Sequence, residues 1–224
     1  MRGQDMNYGI VGYSGRMGRE IQEVFKDHHL CLTVDEGKEH IEDRPDMIID
    51  FSSFHATFRT IELCRENNSG LVIGTTALQP EHLSSLRDLS LSLPVIQSFN
   101  FSMGINLMKR ILKDFSEYFL DWDLAITETH HVKKKDAPSG TALLLREAIG
   151  RESDCLSLRL GGIPGDHQVT FANEGEMVTF SHRAISRKVF AMGALKAAEF
   201  GLGRDRGFYS FEEVLLCRRK QSKK

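Results

Sequence analysis

A short apolar strand that runs straight into a glycine loop and then a helix leaves a chain few ways to fold. Here Tyr8-Gly9-Ile10-Val11 leads into Gly12-Tyr13-Ser14-Gly15-Arg16-Met17-Gly18, and Arg19 to Lys26 carries on with Ile21, Val24 and Phe25 on one helical side. In that setting the glycines have separate uses: Gly12 permits a tight turn, Gly15 lets backbone approach a pyrophosphate, and Gly18 lets helix and strand pack closely. The spacing is GxxGxxG, with Ser14 where the commoner fingerprint has its middle glycine. A plain tight strand-to-helix turn is the alternative reading.

The alternation continues. Leu30 to Val34 reads as a second strand ending at Asp35-Glu36, where an acidic side chain can hold ribose hydroxyls; Asp35 is the candidate and Glu36 the alternate. Residues 37–46 are charged and read as a connection. Met47 to Phe51 is a third strand, followed by a polar exit over 52–57 and a helix from Phe58 to Glu66. Asn67-Asn68-Ser69-Gly70 closes that helix with residues that tolerate the left-handed region. Leu71-Val72-Ile73 ends in Gly74-Thr75-Thr76, a glycine and two hydroxyls suited to a ligand crevice. After a helix from Pro80 to Leu89, Pro94 to Gln97 exits into Ser98-Phe99-Asn100-Phe101-Ser102, whose rings either fill a junction or touch a cofactor. Strands alternating with helices over this length predict an α/β fold, a Rossmann-like doubly wound parallel sheet spanning 1–101.

Beyond it the texture changes. A helical apolar stripe covers Met103 to Phe119, and Asp123 to Thr127 has strand character. Glu128-Thr129-His130-His131-Val132-Lys133-Lys134-Lys135-Asp136-Ala137-Pro138-Ser139-Gly140-Thr141 then gathers proton-transfer groups, cations and a helix start. Ser139 can cap the helix that opens at Ala142, leaving the amides of Gly140 and Thr141 for a carboxylate or phosphate. A lysine in such surroundings can donate a proton as well as neutralise charge. At a strand end His130 and His131 point to opposite sides and should not share one role. A metal site at these histidines, Glu128 and Asp136 competes poorly, because no cysteine joins them, no HxxxH helix is present, and the lysines repel a cation. Alternation in 168–171 and 177–180, with a hairpin turn at Asn173-Glu174-Gly175-Glu176, predicts a second α+β domain on a mixed sheet over 102–187. His182 and Arg187 stand at its exit, and Arg187 reads either as a carboxylate-binding arginine or as a salt-bridge residue. A helix runs from Lys188 through Phe200, and Ser210-Phe211-Glu212-Glu213 is a capping box opening a last short helix within 188–224. Met1 to Met6 reads as frayed and the basic tail over 218–224 as disordered.

With 29 basic and 31 acidic residues in 224, the net charge of -2 argues against a general nucleic-acid or membrane surface. Four cysteines without a CxxC read as thiols of a reducing compartment. No apolar run reaches the roughly 18 residues of a membrane span, and no leader pattern opens the chain. A cytoplasmic protein is expected.

Three segments together, Gly12 to Gly18, Gly74-Thr75-Thr76 and Glu128 to Thr141, make the sequence resemble the dihydrodipicolinate reductase family of the diaminopimelate and lysine pathway. The family pattern HHxxKxDAPSGTA is met by His130 to Ala142, and GxxGRMG by Gly12 to Gly18. The resemblance implies reduction of the cyclic dicarboxylate 4-hydroxy-tetrahydrodipicolinate to tetrahydrodipicolinate with loss of water, NADH and/or NADPH as hydride source, no metal, and a homotetramer. It implies His130 as catalytic proton donor or acceptor, Lys134 as proton donor, and His131, Gly140 and Thr141 as the dicarboxylate-binding group, in a substrate-binding and catalytic domain. Gly12, Tyr13, Ser14, Gly15, Arg16 and Met17 would hold the cofactor together with Asp35, Gly74, Thr75, Thr76, Ser98, Phe99, Asn100 and Phe101. It also implies that the C-terminal helices rejoin the nucleotide domain. The arginine that often follows the ribose-binding acid is absent, Gly37 standing next, which leans the chain toward NADH. Other readings are a reductase of another carboxylated imine or enamine, and a nucleotide-sensing protein without catalysis; the second has no need of His130 and Lys134 together.

Overall fold

Aliphatic runs without polar alternation belong in strands covered on both faces, and the first half of the chain is built from them. The computed structural model describes residues 5–217; fraying over 1–4 and disorder over 218–224 lie outside them. Met6, read with the frayed start, is instead 1 % exposed and packs with Tyr8 and Phe25.

In chain order the elements are β1 (Asn7–Val11), α1 (Arg16–Val24), β2 (His29–Asp35), β3 (Lys38–Ile41), β4 (Met47–Asp50), α2 (Thr57–Asn67), β5 (Gly70–Ile73), α3 (Pro80–Ser90) and β6 (Pro94–Gln97). Then come α4 (Met103–Phe115), β7 (Asp123–His130), α5 (Gly140–Ile149), β8 (Asp154–Arg159), β9 (Asp166–Ala172), β10 (Met177–Arg183), α6 (Lys188–Gly201), β11 (Gly207–Ser210) and α7 (Phe211–Leu216). The chain divides into two compact units, one comprising Met1–Phe101 with Phe190–Lys224 and the other Ser102–Val189.

The first unit holds a seven-stranded sheet ordered β11-β6-β5-β4-β1-β2-β3. Every neighbouring pair is parallel except β2 with β3. Strand order reverses between β1 and β4, so their carboxyl ends frame the crevice where open sheets bind ligands. Met47, Ile48 and Ile49 of β4 are fully or almost fully buried, each worth about 1.5–3 kcal/mol. Two strands depart from expectation. Residues 37–46 are not all connection, because β3 pairs antiparallel with β2 from Asp35↔Lys38 to Leu32↔Ile41. All its residues are exposed, so it shows no burial alternation, as suits a charged edge. β11 lies parallel beside β6, a pairing that no local pattern announces.

The second unit holds a four-stranded sheet, β10-β9-β7-β8, mixed because β7 and β8 run parallel while β9 opposes β7 and β10. Met108 and Leu112 of α4, and Ala142, Leu145 and Ile149 of α5, cover one face through Ile126, Val169 and Phe171. The stripe read as one helix to Phe119 ends at Phe115 and tightens into a 3₁₀ turn over Ser116–Phe119, whose Phe119 ring stacks on Phe171 at 4.5 Å.

Candidate functional site

In the first unit the glycine loop spends most of its amides on the protein. Gly12 N and Tyr13 N donate to Val34 O at 2.8 and 3.3 Å, and Gly15 N donates to Gly12 O at 3.1 Å. Ser14 N donates to Asp35 Oδ2 at 2.7 Å. That narrows an anion site stretching over Gly12 to Gly18 to the first turn of α1. There the amides of Arg16, Met17 and Gly18 have no preceding carbonyl, and the N-cap Gly15 has no side chain to give them. Gly12 sits at φ +85°, and a Cβ on Gly18 would overlap the carbonyls of Gly12 and Tyr13. A Cβ on Gly15 would meet only Gly12 O, at 3.1 Å. Gly12 and Gly18 therefore shape the loop, while Gly15 keeps the approach to the amides clear, a cradle that fits a pyrophosphate. Asp35 fastens the loop at the end of β2. Hydrogen bonds from Ser14 hold its carboxyl below the ordinary range, so it is an anion beside the place expected for ribose.

Asp50, at the end of β4, carried no role in the sequence reading. It is fully buried and accepts from Ser52 N at 2.9 Å, Ser52 Oγ at 2.6 Å, Thr75 Oγ1 at 2.9 Å and Thr60 Oγ1 at 2.8 Å. Burial pushes its pKa up against those donors. Thr75 thus spends its hydroxyl on Asp50, whereas Thr76 is exposed. Gly74 is required by packing, since a Cβ there would overlap the Phe51 ring. Ser98 Oγ donates to Asn100 O at 2.9 Å and fixes the next turn. Phe101 is 1 % exposed and packs on Phe51 and Phe211 at 5.4 and 5.0 Å. Its ring belongs to the core, leaving Phe99, 40 % exposed, as the ring open to a ligand.

In the second unit β7 delivers Glu128 and His130 to the same face, both buried, by the two-residue period of a strand. His130 Nδ1 bonds Glu128 Oε2. Arg159, from the end of β8, donates to Glu128 Oε2 at 3.0 Å and Oε1 at 2.8 Å, and to Asp136 O at 2.6 Å. Ser139 N donates to Glu128 Oε1 at 3.2 Å. Burial would raise the Glu128 pKa, but Arg159 and the other donors hold it at about 2. Burial drives the His130 pKa down; Glu128 opposes this, and the cations Lys134 and Arg159 add to it. The ring is neutral at neutral pH. His167 stands edge-on to it at 5.0 Å, lies 3.3 Å from Ser139 Oγ, and is pushed down to about 3 by burial. Lys134 Nζ pairs with Asp136 Oδ2 at 2.9 Å.

Ser139 caps α5, its Oγ accepting from Ala142 N at 3.2 Å. A Cβ at Gly140 would meet nothing within 4 Å, so packing does not demand that glycine and space lies open beside the helix start. Thr141 is buried at 8 % exposure, and His131, just past β7, is half-buried. His182 is half-buried, and its Nε2 lies 3.1 Å from Ser102 Oγ, the cap of α4. Among the described residues no three His, Cys, Asp or Glu side chains gather where they could hold a metal ion. Arg159, His167 and Asp50 were missed as site residues. The Arg-Leu-Gly-Gly run after a strand carried the only local hint of Arg159.

The family model described as dihydrodipicolinate reductase, C-terminus, matches residues 104–215, and the one described as dihydrodipicolinate reductase, N-terminus, matches 28–101. The chain is 51 % identical over 212 residues to 4-hydroxy-tetrahydrodipicolinate reductase of Thermosipho africanus, covering 94 % of this chain and 98 % of that one. It is 36 % identical over 243 residues to the Clostridium novyi enzyme of the same name, covering 92 % and 96 %. Its fold is similar to that of dipicolinate-bound dihydrodipicolinate reductase from Paenisporosarcina sp. TG-14, with TM-score 0.75, 24 % identity and coverage of 94 % and 100 %. A family match over 104–215, half of the chain, and a relative sharing half its residues over nearly full length leave one conclusion: the chain belongs to the dihydrodipicolinate reductase family.

Proposed function

We propose that this chain reduces 4-hydroxy-tetrahydrodipicolinate to tetrahydrodipicolinate, consuming one hydride and one proton and releasing one water, in diaminopimelate and lysine formation. The observation that carries the reading is His130, held through Nδ1 by a buried carboxylate, on the same segment as Lys134 and a helix start with space open beside Gly140. Proton transfer needs a group that can change charge beside one that can donate, and a dicarboxylate needs amides and cations. His130 exchanges a proton, Lys134 donates one, and His131 with the amides of Gly140 and Thr141 grips a carboxylate. NADH or NADPH, held at the α1 amides of Arg16 and Met17 with Asp35, Thr76 and Phe99 around it, supplies the hydride when bound. The Asp35 carboxylate repels an added ribose phosphate, so NADH works at least as well as NADPH.

The homotetramer belongs to the same reading. Leu156, Leu158 and Met177 are 60, 48 and 67 % exposed on the strands β8 and β10, apolar surface that association would cover. The four cysteines are unpaired, and among the described residues no helix is long and apolar enough to cross a membrane; both fit the cytoplasm. The test is consumption of NADH by the purified chain supplied with freshly generated 4-hydroxy-tetrahydrodipicolinate, with NADPH compared at equal concentration. Dicarboxylate-independent binding of NADH without turnover would favour the nucleotide-sensing alternative, and sedimentation velocity reads the oligomer.

A further inference from the structure

The fully buried Glu128 faces His130 and accepts from the backbone amide of Ser139 and from Arg159. Arg159 reaches further than that carboxylate. One guanidinium nitrogen bridges Glu128 Oε1 and the carbonyl of Asp136, at 2.8 and 2.6 Å, and the carboxylate of Asp136 in turn holds Lys134. From β8, therefore, one side chain ties the base of His130, the loop that carries Lys134, and, through Glu128 and Ser139, the start of α5. A two-point guanidinium–carboxylate contact is a fixed geometry, unlike a lysine's single point charge. The opposite edge of the His130 ring is kept clear, since Gly165 stands over Nε2 and a Cβ there would come within 3.1 Å of it.

We propose that Arg159 is a positioning residue, which clamps Glu128 so that His130 is held through Nδ1 with Nε2 as its exchangeable edge, and which fastens the Lys134 loop to the same anchor. The proposal rests on the reading of His130 as the proton-exchanging residue. The groups facing the ring are Glu128 from β7, Arg159 from β8, His167 from β9 and Lys134 from the loop. Asp136 pairs with Lys134, and His182 of β10 acts on His167. Of the charged neighbours Glu128 has the largest influence on the ring and favours its protonation, while Arg159 opposes it.

The experiment is a titration of the ¹³C-labelled His130 ring, assigned by its loss in His130→Gln, beside the pH profile of kcat/KM and NADH titration of the full chain. In Arg159→Met the unscreened carboxylate should raise the ring pKa by about one pH unit, with the acid limb of kcat/KM following and NADH affinity unchanged. In Glu128→Gln/Arg159→Met both charges go, the fold is kept, and the ring pKa should fall below that of the unmodified protein. Arg159→Lys should restore the pKa but not the turnover, since it supplies charge without the two-point clamp. An unmoved ring pKa in both Met-bearing variants overturns the proposal. A ring pKa that moves as stated while the kcat/KM profile stays put upholds the clamp and removes His130 from the chemistry instead.

Discussion

Asp50 and Glu128 are both fully buried carboxylates near strand ends, one in each unit, yet their surroundings drive them in opposite directions. Asp50 is surrounded by neutral donors, and burial wins, raising its pKa. At Glu128 the donors led by the Arg159 guanidinium win over burial, holding it at about 2. The neutral donors around Asp50 do not offset its burial, whereas donors that include a guanidinium do so at Glu128. Asp50 is thus a structural knot tying Ser52, Thr60 and Thr75 together, while Glu128 keeps a fixed charge that sets the protonation of its neighbours.

The largest test of that contrast is Glu128→Gln. It leaves Arg159 without its counter-charge and should cost about 3 kcal/mol in urea denaturation, the low end for breaking a buried pair, because Arg159 keeps 19 % of its side chain exposed. A loss indistinguishable from that of Asp50→Asn would break the comparison. Next in size, Lys134→Ala should lower turnover roughly 100-fold with NADH binding kept, while Lys133→Ala and Lys135→Ala act weakly. Unaltered turnover at saturating dicarboxylate removes Lys134 from proton donation.

The first unit offers a smaller effect. Gly15→Ala has an allowed backbone, φ −66°, and should weaken NADH about tenfold in calorimetric titration, the worth of one charge-assisted hydrogen bond, with native circular dichroism. Unchanged affinity would move the nucleotide away from α1.

Smallest of all, Asp50→Asn should cost under about 1 kcal/mol. Thr60 Oγ1 already lies 3.1 Å from Ala56 O, so its hydroxyl can donate there and accept from the new amide. Acidity separates the two carboxyls further. Glu128 is depressed from 4.5 to about 2, so its stabilisation is full above 4.5 and is lost as pH falls toward 2. His167, depressed from 6.5 to about 3, loses its contribution from 6.5 downward because the unfolded ring takes up a proton first. Asp50 has the reverse sign, since its folded carboxyl binds a proton more readily than the unfolded one and acid favours folding there. Urea midpoints should fall between pH 7 and 5 in the unmodified protein and fall less in His167→Gln; parallel curves would reject the buried neutral ring.

The sequence made the parallel sheet legible because Val, Ile and Leu runs at 8–11, 47–50, 71–73 and 94–97 alternate with helical stripes. The segment from His130 to Thr141 was legible because it is contiguous. Phe101 was not: its ring was divided between core and cofactor until Phe51 and Phe211 were seen against it. β3 hid because a charged edge strand has no apolar face to pattern, and its strand hydrogen bonds leave no trace in side-chain type.

By itself the sequence determined the features that depend on neighbours along the chain: the strand–glycine–helix start, the Ser139 cap and the capping box at Ser210, since each is a bond between residues a few positions apart. Tertiary structure alone decided which distant groups share a charge environment. Arg159 meets Glu128 because β8 lies parallel to β7 with Glu128 opposite Ser157. Likewise Thr75 reaches Asp50 because β5 and β4 are neighbours. Side-chain type says that a carboxylate is present; only the partner brought up from another strand says whether it is charged.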